Sequence, residues 1–222
     1  MELHLPDTLV RMALAGIDSL CVVTLPTYCP DGHHPHAIDL GLPSRKKWAC
    51  CNVGAHMPEH YGSYYAWGEV EEKDTYTWQN YPYAFYVDMD EMYVCHDIGD
   101  DISGTEYDAA FVNWGSPWCM PSKKDYQELI NNCIYKRVDF HGVEGWLFSG
   151  LNNSSIFIPA AGWYGPAFHS DVANYWSSSS TPDLRKNRYA SFLTIIMLGS
   201  NTLCNIVDND RYVGKSVRAV TP

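Results

Sequence analysis

Five potential transition-metal ligands crowd one short stretch of the chain: Cys29, Asp31, His33, His34 and His36. Thiolate and imidazole donors this close together could hold zinc. Their spacing matches no zinc pattern, however, and the Pro and Gly among them suit an exposed connecting segment. His56 and His60 stand four apart, as on a metalloprotease helix, but Pro58 lies between them and breaks such a helix. Asp88, Asp90, Glu91, Asp97, Asp100 and Asp101 could offer oxygen ligands to calcium, yet they lack EF-hand spacing, and a solvated acidic surface is the simpler reading. The sequence holds no Gly-x-Ser-x-Gly, phosphate loop or dinucleotide fingerprint. The expectation is therefore a protein without a catalytic set, a bound metal or a cofactor.

A second group of side chains suits recognition rather than reaction. Tyr164, Phe168, His169, Asp171 and Asn174 share a stretch containing Gly and Pro. Arg185, Asn187, Arg188, Ser191, Asn205, Asp208, Asp210, Tyr212 and Val213 follow. Aromatic anchors beside short, adaptable polar residues are what selected binding surfaces use, although a solvated loop has a similar composition. Between them, the run from Ala190 to Leu198 is apolar on both alternate sets. Two readings stay open. Leu193 and Ile195 could form the core set while Phe192, Thr194 and Ile196 face outward as an apolar, ligand-ready patch. Alternatively, this is a central strand buried on both faces.

The elements that must position these residues follow from periodicity and punctuation. Leu9, Val10, Ala13, Leu14 and Ile17 recur at helical spacing, so residues 7–19 are predicted as a helix and 26–35 as a linker. A second helix is predicted from Pro121-Ser122 through Leu129, Ile130 and Cys133. Short strands are predicted over 47–53, 64–68, 145–148, 155–159, 174–178, 190–198 and 216–220. The acidic, tyrosine-rich stretch from Glu71 to Thr105 has no sustained period and reads as a long surface excursion. Six tryptophans, Trp48, Trp67, Trp114, Trp146, Trp163 and Trp176, read as core and loop-pinning residues. Antiparallel strands with two main helices and long loops make an α+β domain over residues 36–222, preceded by an N-terminal piece, 1–35.

Composition bounds the partners. The 222 residues carry 26 acidic and 15 basic side chains, a net charge of −11, so nucleic acid and anionic membranes lack their electrostatic footprint, and neutral or cationic partners are expected. No run reaches the ~18 apolar residues of a spanning helix, so no direct membrane insertion is expected. The apolar stretch from Met12 to Leu25 contains Asp18 and lacks a cleavage site, so no signal peptide is read there.

Several strings, in order, carry a resemblance: Ile38-Asp39-Leu40-Gly41-Leu42-Pro43-Ser44, Trp48-Ala49-Cys50-Cys51-Asn52-Val53-Gly54-Ala55, Tyr61-Gly62-Ser63-Tyr64-Tyr65-Ala66-Trp67-Gly68-Glu69, Phe157-Ile158-Pro159-Ala160-Ala161-Gly162, Tyr175-Trp176-Ser177-Ser178-Ser179 and Gly214-Lys215-Ser216-Val217-Arg218-Ala219-Val220. Over residues 36–222 the chain resembles the Fibrobacter succinogenes major paralogous domain, a family common in gut Bacteroidetes. The resemblance implies a C-type-lectin-like fold and a cell-surface, secreted or virion-associated setting. One subset of that family is similar to the variable proteins of diversity-generating retroelements, whose C-terminal segment is rewritten at the adenines of AAC-type codons. Such codons never yield Glu, Gln, Lys, Met or Trp.

Between Tyr164 and Tyr212, 49 residues hold no Glu and no Gln, and only Trp176, Lys186 and Met197 fall outside the reachable set. The other 173 residues hold 9 Glu and 2 Gln, so about 3 would be expected in this span by proportion. A β-rich segment that avoids Glu accounts for the same depletion. What the resemblance implies is a non-enzymatic protein that binds a protein or glycan ligand through a hypervariable segment at 164–213. In it Trp176, Leu193, Ile195, Arg211, Gly214, Val217 and Arg218 hold the frame. A fixed adhesin or glycan-binding module of a gut bacterium is the alternative. A third reading is an oxidase of the formylglycine-generating type; it would need a cysteine partner for Cys204, and none lies near in sequence.

Overall fold

The computed structural model describes residues 36–88, 92–181 and 187–221. The helix expected at 7–19, the linker with its Cys/His cluster up to residue 35, and the candidate residues Asp90, Glu91 and Arg185 lie outside the described residues. Within them, the chain is mostly antiparallel strands in several small sheets, with two α-helices.

The two ends of the described chain are tied together. Strands β1 (Ala37–Asp39) and β2 (Lys47–Ala49) pair antiparallel, and β13 (Val220–Thr221) closes on the other side of β2, setting Val220 opposite Trp48. Strand β2 ends earlier than expected because Cys50 to Val53 leave the ladder; the Val53 N–H donates instead to the Val217 carbonyl, at 2.9 Å. The strand expected at 64–68 is also corrected. Tyr65 makes one isolated bridge, to Lys215, while the Trp67 N–H donates to the Arg211 carbonyl. That segment is irregular because its backbone is shared between two partners.

The excursion from Glu71 to Thr105 is held down more firmly than its composition suggests. It contains a 3-10 turn (Trp78–Asn80) and a hairpin, β3 (Ala84–Val87) with β4 (Met92–Cys95). Its tyrosines fasten it. Tyr76 Oη donates to the Tyr64 carbonyl at 2.6 Å, Tyr81 Oη to that of Trp67 at 2.6 Å, and Tyr83 Oη to that of Gly68 at 3.1 Å. A phenol buries a large apolar ring and still satisfies its hydroxyl, so tyrosine can anchor a polar loop without orphaning it.

Helix α1 (Ala109–Trp114) was not foreseen, because six residues are too few to show a period. Its start is fixed by buried Asp108, whose carboxylate accepts from the N–H groups of Gly104, Ala110, Phe111 and Met120. Helix α2 (Lys123–Asn132) lies where Pro121-Ser122 placed it. Ser122 and Asp125 form a reciprocal capping box, and Tyr126 and Leu129 face the core.

A meander follows: β5 (Ile134–Phe140), β6 (Val143–Ser149) and β7 (Ser155–Pro159). The β5–β6 turn is His141-Gly142 with φ of 52° and 83°, the doubly left-handed pair that matches strand twist in a two-residue hairpin. A short hairpin, β8 (Trp163–Tyr164) with β9 (Phe168–His169), leads to the principal sheet. This sheet has the order β10 (Ala173–Ser180), β11 (Tyr189–Leu198), β12 (Asn201–Asp210), with β12 at one edge.

The sheet is sandwiched at its centre. On one side, Leu193, Ile195 and Tyr175 join Tyr126, Leu129, Trp146 and Phe148 in one core cluster. On the other, Trp176, Ala190 and Phe192 join Trp67, Ala109, Ala110 and Val217. Two arginines are built into the frame. Buried Arg218 donates from Nε to Asn52 Oδ1 (2.8 Å), from Nη1 to the Ala49 carbonyl (3.0 Å) and from Nη2 to that of Phe157 (2.9 Å). Arg211 lies 4.2 Å over the Trp67 ring and donates from Nε to the Tyr189 carbonyl. Gly214 permits a close approach: a β-carbon there would sit 2.7 Å from the Tyr76 ring. Among the described residues no helix is long and apolar enough to cross a membrane.

Candidate binding surface

The strand at 190–198 is buried on both faces over its first half, and one face opens over its second. Ala190 and Phe192 are buried, so the expectation that Phe192 faces outward is corrected. It shares a face with Thr194 and Ile196, but Trp176 packs edge-on against its ring at 5.8 Å and Lys215 Nζ lies 4.3 Å from its centroid. Past that lid the same face opens, and Thr194 and Ile196 are half-buried. Opposite them on β12 stand Asn205 and Leu203, with Val207 opposite Phe192. Asn205, Leu203 and Val207 are all exposed. On the β10 side Asn174 pairs with Thr194; its side chain is buried, and its Oδ1 has no hydrogen-bond partner.

Asp171, in a left-handed conformation (φ 67°), lies two residues ahead of β10, at the end of the sheet where Ile196 and Met197 stand. There a cavity of about 350 Å³ is lined by Asp171, Val172, Ile196 and Met197 from the candidate segment. The meander contributes Trp146, Ala160 and the ion-paired Arg137 and Glu144.

The β8–β9 hairpin presents aromatics. Tyr164 packs at 4.8 Å against both Tyr64 and the exposed Phe168, and His169 stacks on Trp163 at 3.9 Å with the planes 10° apart. A third group gathers where the tail returns. Arg188 Nη2 lies 3.1 Å from Asp210 Oδ1, its guanidinium 4.8 Å over the Trp78 ring, and Tyr212 meets the same ring at 4.6 Å. Asn187 precedes them in a left-handed conformation, φ 63°. The hairpin and the tail are neighbours, since Tyr164 bridges Gly214.

Three candidates stand apart from this surface. Ser191 lies on the opposite face of β11, buried, and donates from Oγ to Asp208 Oδ1 at 2.8 Å, so both are turned away from Thr194 and Ile196. Val213 is a core residue. Sequence reasoning also missed contributors: Trp78 from the excursion, Leu203 and Val207 from β12, and Arg137 and Glu144 from the meander. For Leu203 and Val207 the strand pattern was obscured because Cys204 and Ile206, on the inner face, pack against the core while Leu203 and Val207 on the outer face are apolar too.

Burial shifts three titratable groups in this region. Burial pushes the Cys204 thiol up to about 12, which keeps it protonated and a weak nucleophile at neutral pH. Burial pushes the Tyr212 phenol up, and the Asp210 carboxylate adds to that shift. Burial depresses Lys215 well below the ordinary lysine range. Among the described residues no group of three or more His, Cys, Asp or Glu side chains is placed to hold a metal ion.

No family model, curated protein or solved structure matches this chain.

Proposed function

We propose that this chain is a non-enzymatic binding protein with an α+β, C-type-lectin-like scaffold, which displays a diversifiable C-terminal surface to a protein or glycan ligand. The observation that carries the reading is a division of labour within one segment. Between Tyr164 and Val213 the side chains that hold the frame, Trp176, Leu193, Ile195 and Arg211, are buried. Interleaved with them, Phe168, His169, Asp171, Thr194, Ile196, Asn205 and Leu203 reach solvent wholly or in part. A scaffold of this kind accepts new outward residues because strand alternation separates Thr194 and Ile196 from the packed Leu193 and Ile195. The absence of Glu and Gln over the 49 residues from Tyr164 to Tyr212 fits adenine-directed rewriting.

Sequencing the adjacent locus tests this. A reverse transcriptase and a template copy of the last ~50 codons differing at adenines is the expected result. An invariant tail across clonal isolates, with no template, rejects diversification. The cavity beside Asp171 and Ile196 favours a second reading, a fixed adhesin or glycan-binding module of a gut bacterium. On a glycan array that reading requires one sugar preference kept across homologous copies.

A further inference from the structure

Trp78 comes from the excursion, outside the segment expected to vary, yet it is the hub of the group at the returning tail. It stacks on Tyr93 at 5.6 Å with the planes 6° apart and packs against Tyr212 at 4.6 Å. Over it sits a cation. The Arg188 guanidinium lies 4.8 Å from the Trp78 centroid and 5.8 Å from that of Tyr189, and Nη2 reaches Asp210 Oδ1 at 3.1 Å. Electron-rich ring faces closed at one side by a carboxylate are the arrangement that recognises guanidinium and alkylammonium groups. Arg188 fits it imperfectly. Its Nε is buried with no hydrogen-bond partner, so the resident cation leaves one donor unsatisfied.

We propose that Trp78, Tyr189, Tyr212 and Asp210 form a subsite for a basic side chain of a protein ligand, plugged in the free protein by the chain's own Arg188. A net charge of −11 favours such a partner over an acidic one. The arrangement deepens the binding reading and rests on it for its biological use. The chemistry of the cradle rests on these side chains alone, so a locus without a template would remove diversification and leave the following test untouched.

The test is a titration of the full chain with N-acetyl-arginine amide, followed by the NMR shift of the Trp78 indole N–H, which Trp78→Phe assigns. Thermal melting first establishes that Arg188→Ala is folded; Arg188→Met, which keeps the apolar stem over the ring, serves as a second unplugged variant. Both unplugged variants should bind the probe at least about tenfold more tightly than the wild type, because they no longer supply the competing cation. Adding Asp210→Asn to either should weaken binding, and N-acetyl-glutamine amide should not bind. Equal responses from wild type and unplugged variants, or equal binding of the neutral probe, would overturn the proposal.

Discussion

Single residues decide much of this molecule because several strong hydrogen-bonding groups are fully buried. Arg218 joins three separate segments through Asn52, Ala49 and Phe157. Arg218→Met keeps bulk but strands the Asn52 side-chain oxygen and two carbonyls, and urea unfolding should show a loss of about 3 kcal/mol or more. Lys215 has the opposite character. Its Nζ is buried against Trp176 and Phe192 with no hydrogen-bond partner, and its pKa is depressed from 10.5 by burial. Between the depressed folded value and 10.5 the unfolded chain therefore binds more protons than the folded one, so this group's contribution to stability rises with pH across that window. Lys215→Met should be more stable than the wild type at neutral pH by about 1–3 kcal/mol, with the gap narrowing as pH rises toward 10.5. A gap that widens with pH would mean that Lys215 is charged and well paired in the fold.

Among the elements, the start of α2 was the most legible and the irregular connections the least. Ser122 and Asp125 announce α2 by a local rule, side chain to backbone three residues away. Asp108 obeys the same rule for α1, but it also accepts from Gly104 and Met120, which no local pattern reveals. Asp108→Ala leaves four N–H groups without their acceptor and should cost about 2–4 kcal/mol, with the amides of Ala110 and Phe111 exchanging faster in hydrogen exchange. The edge strand β12 has its own protection. Asn205 Oδ1 accepts from the Ile206 N–H and Asn209 Oδ1 from the Asp210 N–H, both at 2.8 Å, which occupies donors that an edge would otherwise offer to another chain. The double variant Asn205→Val/Asn209→Val should self-associate with rising concentration in light scattering. Unchanged scattering would show that these two side chains do not guard the edge.

For the whole molecule, tolerance should follow burial within the principal sheet rather than position along the chain. Thr194→Asn, Asn205→Tyr and Leu203→Ser, all on the open face, should each shift stability by no more than about 0.5 kcal/mol in denaturant melts. Trp176→Ala, on the same face but buried and hydrogen-bonded to the Tyr65 and Val213 carbonyls, should cost about 3–5 kcal/mol. Comparable losses at both kinds of position would mean that the outward residues belong to the frame. The excursion from Glu71 to Thr105 enters at this scale too, since its Trp78 touches Tyr212 and Arg188 from the tail.

By itself the sequence determined where α2 and the strands β2, β6, β7, β10 and β11 lie, and that Trp48, Trp67, Trp146 and Trp176 pack inside. Periodicity, capping and turn chemistry are local, so a linear string records them. It did not determine whether Phe192 points to solvent or what Trp78 faces, because both alternate sets of β11 are apolar and the excursion has no period. Those answers depend on which distant side chain arrives on top: Lys215 and Trp176 over Phe192, Arg188 over Trp78. Burial of one residue by another far along the chain exists only once the strands have been brought into register, and that was left to the tertiary structure.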